Sequence, residues 1–192
     1  MNDKGNILIP ADISLLGILQ SRVCWFCITR LCAPLAERMG LIIYQHKIQY
    51  IARLPVPQLT DVQCEHIGKL TLQLTETAKQ RYAIRRQTAH RIASDLGTAQ
   101  GKLNQKLELW WELSFQEFRA ELMKSFKRDI PLKERNEWEA LLKEQASEIG
   151  RLTARIVQLE TELNAAVYAV FGLNEAEQRL IEQETKYQYG EW

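Results

Sequence analysis

The sequence predicts a mainly α protein, in which a small α/β piece is followed by long antiparallel helices paired as a coiled-coil-like hairpin. Three observations predict it. The composition is 46% hydrophobic and 26% charged, with only nine Gly and five Pro in 192 residues, ordinary globular usage leaning helical. Pro55 and Pro57 stand one residue apart in the segment from Tyr50 to Thr60, and neither a helix nor a central strand runs through such a pair. Beyond it, apolar residues recur four and three apart from Leu142 to Val170, the heptad spacing that keeps one seam of a helix against a partner. The expected divisions are residues 1–58, a spacer helix over 59–107, and a helical region over 108–192 with its heptad helix at 132–171. A compact apolar block joined by a stiff linker to a helical arm suits a protein that presents a surface to something long.

Asn6 to Pro10 reads as a short strand or extended lead-in. Asp12 is placed to cap a helix through Leu15, Leu16, Leu19, Val23, Phe26 and Cys27, and Cys32-Ala33-Pro34 should end it. From Leu41 to Ile51 apolar and polar residues come to alternate, so a strand or strand pair is expected there, ending at Pro55. Thr60 and Gln63 form a capping box, with Leu59 stapled onto Cys64. The helix that follows carries Ile67, Leu70, Leu74, Ala78 and Tyr82 on its apolar side and weakens at Gly97 and Gly101.

Ser114 and Glu117 open the next helix, whose face is Phe115, Phe118, Leu122 and Phe126; Asp129-Ile130-Pro131 stops it. The heptad helix has its seam at Leu142, Gln145, Ile149, Leu152, Ile156, Leu159, Leu163, Ala166 and Val170, and Gly172 caps it in the left-handed conformation. Pairing within the chain is favoured, because residues 61–96 supply a second helix of similar length; self-association through the seam is the competing reading. Asn174 and Glu177 cap a last short helix, and Lys186 to Gly190 reads as a tail strand or loop.

Net charge is +1, unevenly spread: residues 1–107 hold 14 Lys and Arg against 7 Asp and Glu, the remainder 11 against 17. A polyanion partner would therefore meet the front half. Lys79, Arg81, Arg85, Arg86 and Arg91 follow one another on the spacer helix and suit a phosphate backbone, the alternative being a solvated helix face. Gln45, Lys47, Gln49 and Arg53 alternate along the expected strand, and Gln and Arg can pair with base edges; ordinary strand solvation is the other reading. Cys24 and Cys27 have the spacing of a redox dithiol or half a zinc site, but two cysteines one turn apart on an apolar helix are core residues in the plainer reading. A thiol oxidoreductase would need a depressed thiol pKa on an exposed surface. His46, His66 and His90 stand in separate segments, and the sequence holds no Gly-rich phosphate loop, Gly-x-Ser-x-Gly elbow or His-Glu-x-x-His. Nothing here supports catalysis by this chain alone, and neither a signal peptide nor a membrane span is expected. Clustered, reduced cysteines point to the cytoplasm.

Three stretches carry a family resemblance: Ser14-Leu-Leu-Gly-Ile-Leu-Gln-Ser-Arg22; Gln45 to Pro57, ending in the Pro-x-Pro; and the tail phrases Trp111 to Arg119, Asp129 to Arg135, Leu159 to Ala165 and Gly172 to Glu175. Together they resemble the C-terminal part of a bacterial type II restriction–modification adenine-specific DNA methyltransferase, with a TaqI-like specificity domain and a helical tail; Gln20 stands where the family has Asn. The resemblance implies that residues 1–58 are the end of a target-recognition domain. It also implies a catalytic half upstream, holding S-adenosylmethionine and an Asn-Pro-Pro-Tyr type motif that this chain lacks. The parent protein would be a site-specific adenine methyltransferase, with or without an endonuclease, and this part of it noncatalytic. The implied partners are double-stranded DNA and an upstream methyltransferase domain or subunit. A helical dimerisation or subunit-docking module without DNA contact is the alternative.

Overall fold

The computed structural model describes residues 12–38, 41–45, 47–97 and 102–185; the expected lead-in at Asn6 to Pro10, His46, Gly101 and the tail from Lys186 lie outside them. The protein is mainly α, with one two-stranded antiparallel sheet. It divides into two compact units, Met1–Thr75 with Val157–Trp192, and Glu76–Ile156. Two long helices, α4 (Asp61–Arg91) and α7 (Arg135–Val170), contribute to both.

In the first unit Asp12 caps α1 (Ile13–Gln20), its Oδ1 accepting the Ser14 N–H at 2.7 Å. The single helix expected onward from Asp12 is instead broken at Ser21, and α2 (Arg22–Leu31) starts afresh. Ser21 is fully buried, and its hydroxyl donates to the Ile18 carbonyl at 2.6 Å while accepting the Cys24 N–H at 3.3 Å. A serine that satisfies both flanking turns with its own side chain competes with the helix ladder, so the backbone goes extended there. As expected, α2 stops before Cys32 and Pro34.

The strand pair also differs from expectation. β1 (Pro34–Arg38) pairs with β2 (Leu41–Tyr44), with Glu37 opposite Ile42, and the Gln45 N–H closes the ribbon on the Ala33 carbonyl. Residues 47–53, expected to extend the strand, instead form a single helical turn, α3 (Ile48–Ile51), whose first N–H groups, of Tyr50 and Ile51, donate to the Lys47 carbonyl. Tyr50 and Ile51 are half-buried and Leu54 buried. That inward spacing is helical, and over so short an apolar run a period of two cannot be told from it.

At Gly17 α1 packs tightly against α4 and α7. A Cβ there would run into Thr71 Oγ1 and stand 3.0 Å from Ile67 Cγ2 and 3.2 Å from Leu163 Cδ1. The last helix, α8 (Glu175–Glu184), buries one large apolar side chain, Ile181, and is otherwise held by Arg22. The Arg22 guanidinium donates to the Thr185 carbonyl and Oγ1 at 2.8 and 3.0 Å and lies 3.1 Å from Glu182, which also accepts the Tyr168 hydroxyl at 2.6 Å. The Arg22 N–H donates to Asn164 Oδ1 at 2.8 Å. A cation only 5% exposed needs this saturation of partners.

The second unit holds a core of Ile92, Leu96, Leu107, Trp110, Phe118, Leu122, Phe126, Ile130, Trp138, Leu142 and Ile149. α4 ends in a π-helical turn at Ile92–Leu96, before Gly97. After the short α5 (Gln105–Glu108), Ser114 and Glu117 form the expected capping box of α6 (Phe115–Phe126), which Lys127 terminates in the left-handed region at φ 55. Asp129 then binds both sides of the turn into α7. It accepts from Arg119 Nε at 2.9 Å and Arg135 Nη2 at 2.6 Å.

α4 and α7 run antiparallel here, since Arg81 meets Thr153 and Arg91 lies over Trp138. Of the expected heptad seam, Leu142, Ile149, Leu152, Ile156, Leu159 and Leu163 are buried within the chain and Gln145 is half-buried. At its C-terminal end Val167 and Tyr168 take the inward positions, leaving Ala166 and Val170 half-buried, because a straight helix drifts against a strict seven-residue repeat. Gly172 ends α7 at φ 65 as expected.

Gly17→Ala should lower stability by about 1–3 kcal/mol in chemical denaturation, whereas Gly150→Ala, with nothing within 4 Å of the added Cβ, should raise it by up to about 1 kcal/mol. The Arg119 hydrogen bond, with Arg135 alongside, holds the Asp129 carboxyl down from 3.8 to about 2. A carboxylate depressed on folding adds stability that is complete above its unfolded value, and here it is lost as pH falls from about 4 to about 2. Asp129→Asn should therefore flatten that part of the stability–pH curve.

Candidate nucleic-acid interface

The five cations expected to form one stripe on α4 fall into two groups. At about 100° per residue, Arg81 and Arg85 share the side of Leu74, Thr88 and Ile92, while Lys79 and Arg86 share the opposite side with His90. Arg81 is 2% exposed and donates to Thr153 Oγ1 at 3.2 Å. The Arg85 guanidinium carbon lies 4.1 Å over the Trp111 ring, and its Nε is buried without a hydrogen-bond acceptor among the described residues. Burial lowers the Arg85 pKa, opposed by the nearby Glu112. The Arg85 carbonyl in turn accepts the Trp110 indole N–H at 3.5 Å. These two arginines brace the unit and are not free for a ligand.

Lys79, Arg86 and His90 are exposed. Arg91 is exposed too, but its Nε pairs with Asp95 at 3.3 Å and it lies 5.3 Å from the Trp138 ring centre. Residues 77–94 include no Asp or Glu; the nearest carboxylates of α4 are Glu76, one turn before Lys79 and accepting from Gln80 at 3.3 Å, and Asp95, paired with Arg91.

Tyr82 also departs from expectation. Expected on the apolar side, it is 61% exposed, between Lys79 and Arg86. The steps from Leu74 to Ala78 to Tyr82 are both of four residues, and each such step turns the face by about 40°. The buried row instead passes through Ala78, Arg81, Arg85, Thr88 and Ile92 in alternating threes and fours, as a seam requires. Counting along that alternation in the sequence would have brought Tyr82 out.

The first unit holds the other candidates. Gln45 is half-buried at the end of the ribbon, while Lys47, Gln49 and Arg53 are exposed on and around the α3 turn. Gln49 and Arg53 are four residues apart on a helical path, so the alternating strand face expected to read base edges is not formed. The cysteines are free thiols: Cys24 is buried and burial pushes it up to about 12, with Cys27 raised by the same cause. That is the opposite of the shift a redox nucleophile needs. A groove of about 290 Å³ beside α8 is lined by Tyr168, Glu175, Gln178, Arg179 and Glu182, and Tyr168–Glu182 and Arg179–Glu175 already pair with each other there. Among the described residues no cluster of His, Cys, Asp and Glu could hold a metal, and no helix is long and apolar enough to cross a membrane.

Arg85→Ala should lower the melting stability of the protein by about 1 kcal/mol through removal of the stacked pair, while Lys79→Ala and Arg86→Ala should leave it unchanged.

Comparison with curated proteins and with solved structures finds no match. Residues 60–167, from the cap of α4 to the last turn of α7, match the protein-family model described as domain of unknown function (DUF8810). With more than half of its length inside that match, the chain belongs to the DUF8810 family.

Proposed function

We propose that this chain is a noncatalytic DNA target-recognition and scaffolding module of a cytoplasmic restriction–modification adenine methyltransferase, acting beside an upstream methyltransferase domain or subunit. The observation that carries the reading is the row Lys79, Arg86 and His90, all exposed, on a stretch of α4 without a carboxylate. Cations on a rigid helix meet phosphates at fixed spacing and independently of base sequence. From Lys79 to His90 the row is about 16 Å long, several phosphates of one strand. Arg81 and Arg85 do not touch DNA in this reading; they hold the helix that does.

A second reading, docking to a protein subunit without DNA contact, is favoured by a different observation. Leu35, Ile42, Ile48, Val56 and Val62 of the first unit are each at least half exposed, apolar side chains that a docked subunit would cover. Homodimerisation through the heptad seam has no such support, since the seam residues Leu142, Ile149, Leu152, Ile156, Leu159 and Leu163 are already buried within the chain.

Duplex DNA binding across a salt series separates the two. Under the DNA reading Lys79→Ala/Arg86→Ala weakens binding, and the slope of log K against log salt falls by about 0.9 for each phosphate that the variant no longer neutralises. Unchanged binding by the double variant removes the ridge from the interface. No binding of duplex by the unaltered chain at low salt removes duplex recognition by this chain and favours docking.

A further inference from the structure

We infer that Tyr82 is a stacking platform for an unpaired nucleobase, so that the α4 ridge takes single-stranded nucleic acid in preference to a closed duplex. The inference rests on the proposed reading of the ridge as a nucleic-acid contact and names the form of the ligand.

Among the described residues Tyr82 is the only exposed Phe, Tyr or Trp. Among the described residues, the other arginine–aromatic neighbours are occupied internally: Arg30 over Phe26, Arg85 over Trp111, Arg91 over Trp138 and Arg119 near Phe115. Tyr82 has no ring contact of that kind among the described residues. Its neighbours on the helix surface are Lys79, three residues before it, and Arg86, four after, both exposed. Residues three and four apart are adjacent on a helix surface, so the ring stands between two cations in a segment free of Asp and Glu.

An aromatic face between cations is the arrangement by which proteins hold a single strand, the base stacking on the ring and its phosphates meeting the charges. Lys79 and Arg86 are about 10 Å apart along the helix axis, one to each side of the ring, and their long side chains reach toward the phosphates flanking a stacked base. A duplex offers the same ridge only phosphates, because its base faces are already stacked on one another. The ring therefore adds a contact that only an unpaired base can make, and that contact tolerates any base, since every base has a π-face.

The test is fluorescence anisotropy on the full chain with a labelled single strand of about 16 nucleotides and the duplex of the same sequence. It is run for the unaltered protein and for Tyr82→Ala, Tyr82→Phe and Lys79→Ala/Arg86→Ala, with circular dichroism confirming that each variant folds. The expected result is tighter binding of the single strand. Tyr82→Ala should weaken single-strand binding by roughly 5- to 150-fold with duplex binding unchanged, and Tyr82→Phe should restore it. Lys79→Ala/Arg86→Ala should weaken both. If Tyr82→Ala binds both probes like the unaltered protein, or weakens both equally, the stacking proposal is overturned while the ridge reading stands on its own variant. If the unaltered protein binds neither probe at low salt, both fall.

Discussion

The antiparallel pairing of α4 with α7 is the constraint on which the rest of the protein depends. In the second unit it is marked by Arg81 against Thr153 and by Arg91 over Trp138, and it closes over the core that contains Ile92, Trp110, Phe118 and Trp138. In the first unit the same two helices supply Ile67, Thr71 and Leu163 as the floor on which Gly17 rests. Each fully buried Leu or Ile on such a seam contributes about 1.5–3 kcal/mol, far more than any single surface interaction here. Once the seam is buried, the orientation of every other residue on both helices follows.

Polar anchoring then sets how the shorter elements attach. Arg22 gathers Glu182 and Thr185 with its side chain and Asn164 with its backbone, and Tyr168 joins them through Glu182. In the second unit Asp129 does the same for the turn between α6 and α7, with an arginine on either side. Such groups add little net stability over an apolar core of equal volume. Their effect is geometric, because a buried charge accepts only the arrangement that satisfies it. α8, with a single large apolar side chain buried, is attached largely through that geometry.

The same seam governs the chemistry of α4. Its arginines look equivalent in composition, yet the helix turns Arg81 and Arg85 inward and leaves Lys79 and Arg86 in water. Of the inward pair, Arg81 is buried against a hydroxyl and Arg85 half-buried over an indole face; the outward pair stand exposed to a partner. A basic segment on a helix is thus a bracing side and a presenting side at once. The DUF8810 match begins at the cap of this helix, so the presenting face lies wholly inside the family's shared region.

By itself the sequence determined what depends on neighbours a few residues away. The caps at Asp12, Thr60, Ser114 and Asn174, the stop before Pro34 and the left-handed Gly172 all stand where local chemistry puts them, because each is a hydrogen bond or a backbone restriction within one turn. The heptad seam was legible for the same reason, as a repeat long enough to average over single residues. Tertiary structure alone decided where two local solutions compete: the break at Ser21, whose hydroxyl serves two helices, and the α3 turn, where a strand period and a helix period coincide over a few residues. It also decided which cations stay in water, since the side of a helix that is buried is fixed by the partner it packs against; the exposure of Tyr82, by contrast, follows from the three-four alternation already present in the sequence.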